Sequence, residues 1–266
     1  MTNPTRGNAE RRIAPDILPL LPISLEEAAR AIFAGAATQS IIGLESIRAG
    51  RARPAPYLHW YAPLPVARLH ELRGIIDSIE GRRYWFLQLF SPTCLGRRSG
   101  KSPEWSGSPI FFSPKTAALS ELCSIVVDLD VGRDDGERAG ANMTADEAIV
   151  RLRQLVAGGS LPSPSLIAES GRGVYLIYLL AANDQVTRTP IPNGAQAQTR
   201  WRRIAAALAK VTADLACDEK STVTPAHAFK APGKDRDPAT SPSSPTFRTF
   251  GIGRWMISKL PCLLPR

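Results

Sequence analysis

The run Ser124-Ile125-Val126-Val127-Asp128-Leu129-Asp130-Val131-Gly132 constrains this chain more than any other segment. Its apolar first half reads as a buried strand, and its end carries two carboxylates one residue apart. Side chains alternate across a strand with period two, so Asp128 and Asp130 share a face. Two like charges so placed repel unless a cation lies between them. Oxygen ligands on a strand end suit a hard cation such as Mg²⁺ or Mn²⁺, which leaves positions open for substrate phosphates. The same pair also fits a solvated acidic turn at a strand end.

Further along, Ser170-Gly171-Arg172-Gly173 precedes Val174-Tyr175-Leu176-Ile177-Tyr178-Leu179-Leu180, an aromatic and β-branched run that predicts a strand. Glycines at the entry allow positive φ and close backbone approach. Successive N–H groups in such a turn make an anion nest, to which Arg172 adds a forked cation suited to phosphate. An ordinary hairpin turn is the plainer alternative. A third group follows: Asp218-Glu219, then Val223-Thr224, then Lys230-Ala231-Pro232-Gly233.

The order of these three groups, over roughly Leu122 to Gly233, resembles the archaeo-eukaryotic primase superfamily, most closely the primase–polymerases of plasmids and other mobile elements. The resemblance implies an α+β fold: a mixed-sheet, RNA-recognition-like catalytic core beside a smaller N-terminal α/β unit. It also implies a nucleotidyltransferase that makes primers for DNA replication. Asp128, Asp130 and Asp218 would be the catalytic and metal-binding acids, with Mg²⁺ or Mn²⁺ as cofactor. Ser170, Gly171, Arg172, Gly173, Tyr175, His227 and Lys230 would line the nucleotide. The family usually carries a further Asp and two Arg after its third motif; those places hold Thr224, His227 and Lys230 here. The implied partners are a single-stranded DNA template, nucleoside triphosphates, and a helicase or replication initiator. Two other readings fit the same residues: a catalytically decayed primase-like DNA-binding factor, and a metal-dependent phosphodiester hydrolase.

Charge agrees with a polyanionic partner. The chain has 266 residues, a formal charge of +9 and a pI near 9.8. Its four cysteines, Cys94, Cys123, Cys217 and Cys262, are scattered, which disfavours a zinc site or a disulfide framework. The polar N-terminus has no secretory signal, and no segment is long and apolar enough to span a bilayer, so a cytoplasmic location without membrane contact is expected.

Along the chain, residues 1–15 read as a disordered basic arm, 16–233 as the catalytic domain, and 234–266 as a Pro/Ser-rich linker with an apolar tail. Ser24-Leu25-Glu26-Glu27 and Thr144-Ala145-Asp146-Glu147 are capping boxes that open helices. Helices are also expected over Gln39 to Ile47, Val66 to Ile79 and Thr199 to Leu215, the last with an apolar stripe through Trp201, Ile204, Leu208, Val211 and Leu215. Arg83 to Phe90 predicts a buried strand. The loop Ser91 to Pro109 carries Arg97, Arg98, Lys101 and Trp105, cations beside an aromatic that suit a single strand; a solvated loop with one packed Trp fits them as well.

Overall fold

A computed structural model describes residues 21–48, 58–79, 81–97, 110–112, 115–132, 139–169, 173–182, 188–231 and 247–249. In chain order the elements are β1 (Leu21–Ile23), α1 (Leu25–Ile32), β2 (Ile41–Arg48), β3 (Leu58–Pro65), α2 (Leu72–Ser78), β4 (Arg82–Phe90), β5 (Leu95–Arg97), β6 (Ile110–Phe112), β7 (Leu119–Leu122) and β8 (Ser124–Leu129). Then follow α3 (Ala145–Ala157), β9 (Leu166–Glu169), β10 (Val174–Leu179), β11 (Ile191–Pro192), α4 (Ala195–Val211), α5 (Glu219–Thr222), β12 (Ala228–Lys230) and β13 (Phe247–Thr249). The fold is α+β.

Local chemistry sets the helix starts. Ser24 accepts from the Glu27 N–H at 3.1 Å while the Glu27 carboxylate accepts from the Ser24 N–H at 2.8 Å. Thr144 and Glu147 repeat this exchange at the head of α3. Each box satisfies two donors that a helix cannot pair internally. The stretch from Val66 to Ile79 is not one helix: a 3₁₀ turn over Val66–Glu71, with Arg68 outside helical geometry, gives way to α2. Gly81, with φ of 83°, turns the chain into β4.

The segment expected as a helix over Gln39 to Ile47 is the strand β2. It is central, pairing with β3 on one side and β4 on the other, and residues 41–46 are buried. Ile41, Ile42 and Ile47 are stiff β-branched residues that favour such a position. Gly43 sits where the pairing with β4 slips between Ile42 and Leu44, a usual place for glycine in a strand.

Every strand pairing among the described residues is antiparallel, so the expectation of a mixed sheet is corrected. Among the described residues β2–β3, β5–β6 and β9–β10 are the consecutive strands that pair; β10 enters between β8 and β9, antiparallel to both, after α3 has carried the chain from β8 to β9. One sheet has the order β1-β13-β9-β10-β8; the other runs β11-β7-β4-β2-β3, with β12 added on β4. The two are joined where β7 passes through Cys123 into β8. Arg188 braces this junction, donating to the Cys123 and Leu180 carbonyls at 2.9 and 2.7 Å and to the Ala31 and Ile32 carbonyls at the end of α1.

Two cores result. One packs α3 and α4 against Ile125, Val127, Leu129, Ile167 and Leu176. The other draws on both sheets, through Leu44, Trp85, Val126, Ile177 and Phe247, and on α1 and α2. Phe247 is 3% exposed and meets the Trp85 ring edge-on at 6.1 Å, so this part of the segment 234–266 is an internal strand between β1 and β9. Residues 1–15, 234–246 and 250–266 lie outside the described residues. Among the described residues no helix is long and apolar enough to cross a membrane.

Residues 124–217 have their own order. The chain runs β8, α3, β9, β10, α4, with β10 between β9 and β8, and two-residue β11 leaves for the other sheet. After α4 it returns to the far edge of β8, where Cys217 bridges Leu129.

Candidate functional site

The return after α4 builds the site. Thr212 ends the helix, its hydroxyl donating to the Leu208 carbonyl at 2.9 Å, and a 3₁₀ turn over Ala213–Leu215 follows. Ala216 then adopts φ 58°, the one positive φ on a non-glycine residue among those described. A left-handed alanine costs roughly 1–2 kcal/mol, and such strain gathers where a chain must be held in a set position. Here it turns the chain onto β8. The Asp130 N–H donates to the Ala216 carbonyl at 2.9 Å, and the Asp218 N–H to the Asp128 carbonyl at 2.7 Å.

Residues opposite one another in an antiparallel pair share a face. Asp218 therefore stands across from Asp128, with Asp130 two residues along on the same side. All three acids are half-buried. The Asp128 N–H also donates to the buried Thr222 hydroxyl at 3.2 Å, so α5 is fastened to the strand end. Asp218 has a second task as the N-cap of α5: its oxygens accept from the Ser221 N–H at 3.4 Å and the Ser221 hydroxyl at 2.9 Å. Cys217, opposite Leu129, turns to the other face and packs against the core under α3 and α4. Burial pushes its thiol pKa up, hydrogen bonds to Thr222 and Thr212 oppose this, and the negative charges of Asp128 and Asp218 add to the rise. It stays protonated, as a structural thiol does.

Tyr175 faces Asp128 directly across β10 and β8. Its hydroxyl accepts from the Lys230 N–H at 3.3 Å, and its ring meets Phe229 edge-on at 5.3 Å. His227 meets the other side of this aromatic group, 5.1 Å from Phe229. Burial holds the His227 imidazole below its ordinary pKa, and the carboxylates of Asp218 and Glu45 partly offset this. His227 is therefore neutral at pH 7.

Lys230 belongs to a row across the other sheet. On β2, β4 and β12 the residues Glu45, Tyr84 and Lys230 are in register. Glu45 is only 7% exposed, next to the buried Ser46, in a strand whose other buried residues are apolar or glycine. It was not among the residues singled out from sequence; the available signal was a single acid inside an apolar β-branched run, since a buried carboxylate is rare unless it has a partner or a task.

Two rows thus meet at Tyr175: Asp128–Tyr175 from one sheet and Glu45–Tyr84–Lys230 from the other. Gly173 is buried just before β10, whereas Ser170, Gly171 and Arg172 lie outside the described residues, as do Arg98, Lys101 and Trp105. Two carboxylates on one strand face are a donor set that a hard cation accepts, with phosphate oxygens completing its shell. Asp128 and Asp130 fit that role. Among the described residues no group of three His, Cys, Asp or Glu side chains is assembled to hold a metal ion, and the Asp218 oxygens are engaged by Ser221. No protein-family model matches the chain, and no curated protein and no solved structure matches it.

Proposed function

We propose that the chain is a template-directed nucleotidyltransferase of the archaeo-eukaryotic primase type, joining nucleoside triphosphates on a single-stranded DNA template. The observation that carries the reading is the backbone register that sets Asp218 across from Asp128, with Asp130 on the same face. The strand–helix–strand–strand–helix order of residues 124–217, closed by Cys217 on the edge of β8, supports an RNA-recognition-like core. In that core the acids lie on the sheet face turned away from α3 and α4.

The reaction joins a 3′-hydroxyl to an α-phosphate and releases pyrophosphate. A bound Mg²⁺ or Mn²⁺ supplies charge neutralisation on the phosphate oxygens and a more acidic hydroxyl. Asp128 and Asp130 would hold it, and Asp218 would close the acidic face beside them. Lys230 would place its ammonium toward the triphosphate. His227, kept neutral by burial, would offer one N–H and one lone pair, not a charge. Tyr175, tied to the Lys230 backbone, would hold the two rows in register. The turn Ser170–Gly173 would cradle the phosphates through its backbone.

A second reading, a DNA-binding factor without catalysis, draws on the capping of α5 by Asp218. One assay separates the two. Wild-type protein, single-stranded template, labelled nucleoside triphosphates and Mn²⁺ should give extension products. The Asp128→Ala/Asp130→Ala variant should give none while keeping its far-UV circular dichroism and template binding. Products from that variant overturn the catalytic assignment, template binding without wild-type products favours the second reading, and shortened template points to a hydrolase.

A further inference from the structure

The two helices that cover the same core differ in charge. α3 carries Asp146, Glu147, Arg151 and Arg153. The 17-residue α4 carries Arg200, Arg202, Arg203 and Lys210 and no acid. Trp201, Ala205, Leu208 and Ala209 turn inward, and the four cations are exposed. Arg203 and Lys210, seven residues apart, lie almost in line along the outer face, with Arg200 and Arg202 on its two sides. Among the described residues none of the four forms an ion pair; Arg202 only donates to the Gln198 side chain at 3.4 Å.

Four cations in one arc with no acid repel one another, and a helix has better alternatives where solubility alone is needed. Charge complementarity points to a polyanion. The outer face offers only Ala195, Gln196, Thr199 and Ala206 besides the cations, so it has no bulky apolar group to insert in a lipid surface. Three of the four cations are Arg, whose fork matches phosphate oxygens. At 1.5 Å rise per residue, Arg200 to Lys210 spans about 15 Å, the length of roughly four phosphates at ~3.4 Å each along a stacked strand. The Lys210 end leads through the 3₁₀ turn to Asp218, which joins the track in the chain to the acidic strand end on the opposite face of the sheet.

We infer that the outer face of α4 is a track for the phosphate backbone of a nucleic acid. The choice of a single-stranded template as that nucleic acid rests on the proposed function; the track itself does not.

The test measures binding of a labelled oligothymidylate by fluorescence anisotropy between 50 and 300 mM salt, without nucleotides. For Arg200→Gln/Arg203→Gln/Lys210→Gln, counterion release predicts a salt slope shallower by roughly 2 and binding on the order of 100-fold weaker at 0.1 M salt. Melting temperature should be unchanged. Arg200→Lys/Arg203→Lys/Lys210→Arg should restore most of the slope, and Arg151→Gln on α3 should change little. A glutamine variant that binds with wild-type affinity and slope overturns the inference, as does wild-type protein that binds no oligonucleotide. Loss of binding to phosphatidylserine vesicles with oligonucleotide binding intact assigns the face to a membrane instead. Primer synthesis measured in parallel keeps the two proposals apart: a track without synthesis refutes only the catalysis, and synthesis with unaltered binding by the variant refutes only the track.

Discussion

The two ends of β8 are both polar, and they are built on opposite plans. At the Ser124 end the side chains of Ser124, Gln88 and Trp201 form a neutral, buried, paired network, beside which Arg188 donates to the Cys123 carbonyl. The Ser124 carbonyl accepts from the Gln88 amide at 2.7 Å and the Trp201 indole at 2.8 Å, and its hydroxyl donates to the Leu87 carbonyl at 3.1 Å. Gln88 in turn accepts from the N–H groups of Cys123 at 2.8 Å and Ser124 at 3.4 Å. At the Asp128 end three acids stand half-buried on one face, with backbone bonds between the two segments and to Thr222, and the Asp218 carboxylate accepts from Ser221. A neutral network closed on itself fixes a structure, because breaking any part leaves a desolvated group alone. Like charges gathered on one face do the reverse, because each disfavours the charged form of its neighbours. The strand thus has a neutral anchor at one end and carries charge at the other.

The comparison predicts unequal costs. Gln88→Ala should destabilise by roughly 2–4 kcal/mol in urea unfolding, since it leaves the Cys123 N–H without its acceptor and opens a cavity. A cost below about 1 kcal/mol would mean that the Ser124 end relaxes freely, and the contrast would fail.

A smaller effect tests the acidic end by pH. The folded-state pKa of His227 is lowered, chiefly by burial. The unfolded chain then takes up its proton first as pH falls through about 6.5, and protons favour unfolding. His227 therefore contributes stability that is fully present above pH 6.5 and is lost as pH falls toward its folded-state value, with a slope of at most about 1.4 kcal/mol per pH unit. His227→Gln should flatten that part of the stability curve between pH 7.5 and 5. Asp218→Asn removes a charge that props the imidazole pKa up, so it should carry the loss to lower pH. An unchanged curve for His227→Gln would show that the ring is open to water in solution.

What was legible in the sequence was what is local. Both capping boxes need only residues three apart, and the shared face of Asp128 and Asp130 needs only period two. The strand over Arg83 to Phe90 and the stripe Trp201–Ile204–Leu208–Val211 of α4 follow from composition and periodicity over one element, whereas Leu215, placed on the same stripe, lies in the 3₁₀ turn beyond the helix. The misread segment, β2, fits a helix when taken alone and becomes a strand because β3 and β4 pair with both its edges. Gln88 and Glu45 gave no clear signal, since a lone polar side chain in an apolar run acquires meaning only from partners far away in the chain. The bond from Asp128 to Thr222 spans 94 residues, and no spacing rule reaches that distance. Asp218 entered through the order of motifs, not through any geometry the sequence displays.

The smallest expected change in stability is also the sharpest test of the contrast. Asp128→Asn keeps the shape of the side chain and leaves both main-chain bonds in place, to the Thr222 hydroxyl and from the Asp218 N–H. It removes one of three negative charges from a single face. Relief of repulsion should offset most of what the carboxylate itself holds, so unfolding should shift by no more than about 0.5 kcal/mol, and upward if at all. Salt screens the charges of the wild type, so the difference should shrink further at 1 M salt. Mn²⁺ binding, followed by its electron paramagnetic resonance signal, should nevertheless weaken. A loss of 2 kcal/mol or more, independent of salt, would place Asp128 in the same class as Gln88: a buried polar group held for structure, with no charge kept in reserve for a ligand.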